Sequence, residues 1–577
     1  MLDQLDLPTV PPGTPLDSVM RALVDKVPLF ATTTVRLDGV DYTAFANQPA
    51  NLRDATALML RQPERECLIY GEDRFTFQQT IDRAARLGRA LVDDLGLEKG
   101  TPVGLVMRNY PEWLMAYLGI AGAGGIISAM NAWWGTEELE KAIRLSGCTI
   151  LVVDADRAKR LAPLQDKLDL KLIVARDAVP DGVTAHRFAD LIADKAPMRW
   201  PDVDIAPDDD AMMLFTSGST GTPKAAVSTH RAVVSVLMNW VVMALGLLTV
   251  AGAKPDPDDQ PVALVAVPFF HVTGLLPVAL VSMVLGRKMI CMHKWDAGEA
   301  LRLIEREGVT SFTGVPTMSY ELATHPDLNS YDTSTLSQIG GGGAARPKDH
   351  VPVIEQAFAN AFPGIGYGLT ETTALGAILF GDEYVKRPGS TGKPTFPLVE
   401  ARIVGPDGRD VPTGERGEVW IKSVANMRGY WRDPDATAAA VTDGWFHTGD
   451  VGVLDAEGYL YIVDRMKDII IRGGENIASL EVEAVLHAVP GVADVMVFGL
   501  PDARLGERVG AVVVSDDPAL TPQAILDEAG RHLAPFKLPE TIWIQREPLP
   551  LIASGKLDRK GIRAHFQERH AREQAAG

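Results

Sequence analysis

The strongest constraint on this fold is an alternation between short branched-aliphatic runs and helix-period segments along the first part of the chain. Residues 103–107, 125–130, 149–153 and 172–175 read as buried strands rich in Val, Ile and Leu. Between them lie helical patterns. Over 76–95, Ile81, Ala84, Ala85, Leu91, Val92 and Leu95 fall on one face, and Gly96 closes the segment. Residues 111–121 read as a second helix. A third begins near Thr136, with Glu137 and Glu138 in a first turn where the helix dipole favours anions. Ahead of these, residues 67–70 and 74–77 flank Gly71-Glu72-Asp73 as a hairpin. Strands that alternate with helices must cross over, so the expected fold class is α/β with parallel sheets covered on both faces. A β-rich run (417–422, 458–463) stops at Asp464-Arg465-Met466-Lys467-Asp468, and a fresh α/β pattern follows. That punctuation divides the chain into 1–465 and a small C-terminal domain, 466–577.

Two long stretches, 232–253 and 261–286, carry no Asp, Glu, Lys or Arg and pass the length test for a membrane span. Pro268, His271, Gly274 and Pro277 interrupt the second, and buried elements of an α/β core read the same way. Core segments are therefore expected rather than membrane association. The 56 Lys and Arg against 75 Asp and Glu give a net charge of −19, which repels nucleic acid and anionic lipid. Any nucleotide must be held by local basic groups and backbone N–H donors. Cys67, Cys148 and Cys291 are too dispersed for a disulfide framework or a zinc site. The acidic N-terminus lacks the basic and apolar regions of a signal peptide, so a cytoplasmic location is expected.

Five segments carry chemistry. In Thr216-Ser217-Gly218-Ser219-Thr220-Gly221-Thr222-Pro223-Lys224 a β-run empties into hydroxyls, glycines and a lysine. Such a loop can surround phosphate oxygens with N–H groups. It is not a Walker A loop, because the glycine spacing differs and Ala225 follows the lysine; a plain Ser/Gly turn fits the composition as well. In Gly366-Tyr367-Gly368-Leu369-Thr370-Glu371-Thr372, Tyr367 could stack on a base, Thr370 could donate to a phosphate and Glu371 could hold a hard cation. The segment Gly444-Trp445-Phe446-His447-Thr448-Gly449-Asp450 offers an Asp that could accept from a vicinal diol, or simply cap a turn. Asp464–Asp468 with Arg472-Gly473-Gly474-Glu475, and a late Ala553-Ser554-Gly555-Lys556, complete the set.

Together and in this order, these segments resemble the adenylate-forming superfamily of acyl-CoA synthetases, nonribosomal peptide adenylation domains and beetle luciferases. The likeness runs from about Phe75 to Lys556 and includes the turn Gly389-Ser390-Thr391-Gly392-Lys393-Pro394. The resemblance implies a large N-terminal domain of doubly wound α/β subdomains plus a β-rich subdomain, and a small, mobile α+β C-terminal domain. It implies that Thr216, Ser217, Gly218, Ser219, Thr220, Gly221 and Lys224 grip the phosphates of ATP. Gly343, Ala344, Ala345 and a stacked Tyr367 would hold adenine, with Gly368 beside them. Thr370 would meet the α-phosphate, Glu371 with Thr216 the Mg²⁺ ion, and Asp450 with Arg465 the ribose. Catalysis would fall to Lys556, Thr216 and Glu371. Lys467 occupies the family's hinge position, and Arg472, Gly473 and Gly474 would border the coenzyme A tunnel after the C-terminal domain swings.

The resemblance also bears on the acid. Amino-acid-activating relatives place an Asp in the segment equivalent to Phe269-Phe270-His271-Val272-Thr273-Gly274, and here there is no carboxylate. His271 could gate the passage or pack in the core. Acetate-activating relatives carry Trp where Gly368 stands, so a larger acyl group is expected. Asn239, Trp240, His271, Val315 and Gly368 are the expected acyl-site residues. These readings give an ATP-dependent ligase joining a medium- or long-chain fatty acid to coenzyme A, with ATP, Mg²⁺ and coenzyme A as cofactors. An aryl-alkanoic or steroid-side-chain acid, a fatty acyl-AMP ligase serving a carrier protein, and a luciferase-like oxygenase stay open as alternatives. So does a non-catalytic, membrane-attached nucleotide-binding protein. A homodimer is admitted.

Overall fold

A computed structural model describes all residues except 1–4, 6, 12–13, 194–197, 217–222, 253–255, 257, 553–554 and 577. Among the described residues two large sheets dominate. The first has eight strands, in which Asp210–Thr216, Ile126–Ala129, Pro102–Val106, Ile150–Val153, Lys171–Val174 and Ala185–Arg187 run parallel. The second has nine, with Phe362–Gly368, Gln338–Gly342, Ser311–Gly314, Val262–Val265, Lys288–Cys291 and Glu66–Tyr70 parallel. The expectation of parallel sheets holds in both centres but not at the edges. Lys224–Thr229, Gly376–Phe380 and Asp73–Thr76 each pair antiparallel through a hairpin-like connection, which needs no crossover helix.

The helix Phe77–Asp93 shows how the local code works. Thr76 Oγ1 accepts from the Gln79 N–H and Gln79 Oε1 accepts from the Thr76 N–H, both at 3.1 Å, so the capping box satisfies two otherwise orphaned donors. Helix Pro111–Gly122 is apolar all round and buried along nearly its whole length. It touches Pro102–Val106 and Ile126–Ala129 of the first sheet and Glu66–Tyr70 of the second, so one core serves both.

The two apolar stretches behave differently. The first forms His230–Val250, among the described residues the one helix long and apolar enough to cross a membrane, with 72% of its apolar window buried inside the fold. The second breaks into strand Val262–Val265, a loop, and the short helical segments Gly274–Leu280 and Val281–Val284. A third sheet is antiparallel, running Glu400–Val404, Gly417–Lys422, Trp445–Leu454 and Leu460–Arg465. After the single turn Met466–Asp468, the strands from Ile470 to Gln545 pair only with one another, and helix Arg559–Ala576 packs on them.

This topology positions the site. Strands Val262–Val265, Ser311–Gly314, Gln338–Gly342 and Phe362–Gly368 all point the same way. The loops at their carboxyl ends therefore gather on one edge of the sheet, the usual ligand edge of an open α/β fold. Those loops carry His271, Val315, Gly343 and Glu371.

Candidate active site

The phosphate-loop candidate is the tip of a hairpin. Strands Asp210–Thr216 and Lys224–Thr229 pair antiparallel, with Thr216 directly opposite Lys224. The tip itself, including Ser217, Gly218, Ser219, Thr220 and Gly221, lies outside the described residues. The Lys224 ammonium sits 4.8 Å from the centroid of the Tyr430 ring, a cation–π contact. Tyr430 belongs to the edge strand Gly429–Tyr430 beside Lys224–Thr229, and its hydroxyl donates to Glu371 Oε1 at 3.0 Å. Thr216, Lys224, Tyr430 and Glu371 thus form one connected chain. Burial pushes the Glu371 carboxyl up, and the Tyr430 hydrogen bond opposes that.

Tyr367 is the penultimate residue of strand Phe362–Gly368, and its hydroxyl donates to Asp450 Oδ2 at 2.7 Å. Asp450 is directly opposite Arg465 across the pair Trp445–Leu454 and Leu460–Arg465, and Arg465 Nε meets Asp450 Oδ1 at 3.0 Å. Three segments far apart in sequence therefore share one carboxylate. Burial pushes Asp450 up, with Arg465 pulling the other way.

Lys556 arrives from the far end of the chain. A Cβ built at Gly343 would lie 3.1 Å from Lys556 Cε, 3.2 Å from its Nζ and 3.5 Å from Thr273 Oγ1. Gly343 also has φ +78°, so both its backbone and its neighbour require glycine. Gly343, Ala344 and Ala345 are exposed, leaving the lysine beneath an open surface. Burial, and then the nearby Arg465, lower the Lys556 ammonium to about 8. Burial, and then Lys556, lower His271 to about 3, and among the described residues His271 Nε2 has no hydrogen-bond partner. Among the described residues Lys556 has no ion pair, so its ammonium is available to an incoming phosphate, whereas Arg465 is already paired with Asp450.

The remaining candidates divide. Thr370 lies in the turn that presents Glu371, and its carbonyl accepts from the Thr373 N–H at 3.1 Å. A Cβ at Gly368 would meet the Ala374 carbonyl oxygen at 2.6 Å. Close backbone approach therefore requires glycine there, which the reading of Gly368 as simply open acyl space overlooked. Asn239 is fully buried in helix His230–Val250 and donates to the Phe396 carbonyl at 2.9 Å, while its Oδ1 and the Trp240 Nε1 lack partners. Val315 is not grouped with them. It packs in a separate core cluster, and its Cγ2 would lie 3.2 Å from a Cβ at Gly555. Lys467 is exposed, and its carbonyl accepts from Arg563 Nη1 at 3.3 Å. Arg472 is ion-paired with Glu540 at 2.8 Å, and Gly473 and Gly474 form an exposed turn. In this arrangement no described atom lies within 4 Å of a Cβ built at Gly474, and the left-handed backbone at φ +92° favours glycine there.

Sequence reasoning missed Tyr430 and Thr273. Tyr430 has no local signal, being 59 positions from the carboxylate it holds. Thr273 was visible as a hydroxyl in an otherwise apolar segment.

A late lysine set against a glycine turn, a buried Asp450 shared by Tyr367 and Arg465, and a hairpin that presents Lys224 near Glu371 together make a site suited to a nucleotide. The AMP-binding enzyme model matches residues 56–431, and the AMP-binding enzyme C-terminal domain matches 481–556. A feruloyl-CoA synthase from an Amycolatopsis species is 34% identical over 506 residues, covering 87% of this chain and 96% of its own. The long-chain-fatty-acid–CoA ligase FadD13 of Mycobacterium tuberculosis is 33% identical over 493 residues, covering 85% and 93%. The crystal structure of ATP-bound MatB from Rhodopseudomonas palustris superposes with a TM-score of 0.79 at 28% identity, covering 90% of this chain and 99% of that one. The chain belongs to the AMP-binding enzyme family. By class it is an AMP-forming acid–CoA ligase.

Proposed function

We propose that the chain converts a medium- or long-chain fatty acid to its coenzyme A thioester through an acyl-adenylate. A carboxylate oxygen attacks the α-phosphorus of ATP, the bond to the β-phosphate oxygen breaks, and pyrophosphate leaves. A thiol then attacks the acyl carbonyl, and AMP departs with the electron pair of the broken C–O bond. The observation that carries this reading is Lys556, half-buried, set against Gly343 with Arg465 as its cationic neighbour. In that position the ammonium and guanidinium would stabilise charge developing on the phosphorus oxygens. Asp450 would accept from the ribose hydroxyls and Tyr367 would face the purine. Glu371 and Thr216 offer only oxygen donors, as a hard cation requires, and a carboxyl that burial pushes up is one whose charged form a cation would restore. Mg²⁺ bound there would neutralise phosphate charge.

The second step needs the Arg472–Gly474 turn at the site and Lys556 withdrawn, with the backbone turning at Lys467. Lys556→Ala should therefore abolish pyrophosphate release from acid and ATP, yet leave thioester formation from synthetic acyl-AMP largely intact. Equal loss of both half-reactions would refute the two-arrangement account.

An apolar acid fits a carboxylate-free lining at Phe269–Val272 and the packed helix His230–Val250. A second reading, an aryl-substituted acid, is favoured by the 34% identity to a feruloyl-CoA synthase. Pyrophosphate release across acetate, octanoate, palmitate, ferulate and free amino acids separates them. Acetate or an amino acid as best substrate would overturn both. We place the activity in the cytoplasm, away from membrane and nucleic acid, in a monomer or homodimer. Three buried free thiols fit a reducing compartment.

A further inference from the structure

We propose that Asp349, His350 and His487 form a binding site for one divalent transition-metal ion of the zinc class. The ligand atoms these residues offer all lie within 4.8 Å of one another. His487 Nδ1 already stands 3.2 Å from Asp349 Oδ2. His350 is 6% exposed, and among the described residues neither of its ring nitrogens has a hydrogen-bond partner. An imidazole buried with both nitrogens unsatisfied calls for an explanation. Its plane is set by Tyr320, stacked at 3.9 Å and 15°, and it meets the His487 ring edge-on at 5.4 Å. Two imidazoles and one carboxylate match zinc, cobalt or nickel, unlike the all-oxygen set at Glu371 and Thr216. Tetrahedral ligands about 2.0–2.1 Å from an ion stand roughly 3.4 Å apart, so the widest pair must close by up to about 1.4 Å. Asp349, whose side chain is 53% exposed, is free to swing and gives the ion an entry path.

The position of the site gives it a consequence. Asp349 and His350 begin helix His350–Ala357 of the large part of the chain, whereas His487 ends helix Ser479–His487 beyond the Met466–Asp468 turn. The site is complete only while the two parts are apposed as they are here, with Lys556 inserted. An ion bound there would clamp this arrangement and oppose the second half-reaction. That last step rests on the two-arrangement reading above; ion binding does not.

The test uses full-length, tag-free protein stripped with chelator and titrated with Co²⁺, with Zn²⁺ as competitor. One ion per chain with a tetrahedral visible spectrum is expected. His487→Ala and Asp349→Asn, each at the contact rather than in the core, should each weaken binding by at least about tenfold. Absence of stoichiometric binding, or binding unchanged in both variants because another of the eleven histidines holds the ion, would overturn the site. Zn²⁺ should slow thioester formation from synthetic acyl-AMP in the wild type and not in His487→Ala. Binding without that inhibition would uphold the site and overturn the clamp. Failure of the ligase reading would instead appear as no pyrophosphate release with any acid, leaving the cobalt spectrum intact.

Discussion

Tyr430→Phe removes one oxygen atom and tests whether the site's carboxylate is held in its charged form from outside the recognised motifs. The ring stays beneath Lys224, so the cation–π contact at 4.8 Å survives. What disappears is the hydroxyl donating to Glu371 Oε1 at 3.0 Å. A hydrogen bond to a charged group contributes about 1.5–3 kcal/mol. Each 1.36 kcal/mol is tenfold in rate, so kcat/KM for MgATP should fall by roughly 10- to 150-fold near neutral pH. Burial already pushes the Glu371 carboxyl up, and losing the donor pushes it further. The acid limb of the pH profile should therefore move to higher pH, and raising the pH should restore part of the lost rate. Pyrophosphate release at several Mg²⁺ concentrations across the acid range measures both effects. A loss independent of pH and Mg²⁺, or no loss, would show that Tyr430 does not maintain the Glu371 charge.

Three further outcomes are expected. Because the Lys556 ammonium is held near 8, kcat/KM for ATP should decline as pH rises through that value and the proton is lost; a flat profile to pH 9.5 would count against the lysine acting as a cation in the free enzyme. Gly368→Ala should lower stability by about 1–3 kcal/mol, read as a fall in Tm, because its methyl group meets the Ala374 carbonyl at 2.6 Å; an unchanged Tm would mean that this turn yields freely. Asp450→Asn should raise KM for ATP far more than KM for the acid, and equal changes would detach Asp450 from the nucleotide.

What the sequence made legible was local. Ile81, Ala84, Ala85 and Leu91 announce one helix by their spacing, and the branched-aliphatic runs announce strands one at a time. The Gly-rich segments announce loops. What it hid was register. Nothing near Asp450 shows that Arg465 will stand directly opposite, nor that Tyr367 will point its hydroxyl at the same carboxylate. The resemblance placed Arg465 beside Asp450 by position but assigned Tyr367 to the adenine; the pairing of Trp445–Leu454 with Leu460–Arg465 supplies the first partner physically, and the end of strand Phe362–Gly368 supplies the second. Tyr430 escaped both routes, because an edge strand of two residues carries no periodicity. Gly368 was legible as small but not as sterically required, since the clashing carbonyl comes from a turn whose shape the sequence does not state.

The buried helix His230–Val250 has a consequence for how this protein is handled. Until the edge strands of the first sheet and the neighbouring helices have packed on it, the growing polypeptide carries an apolar segment of 21 residues that passes the length test for crossing a bilayer. Fragments that end just after this segment should partition into detergent micelles, whereas the intact enzyme should not.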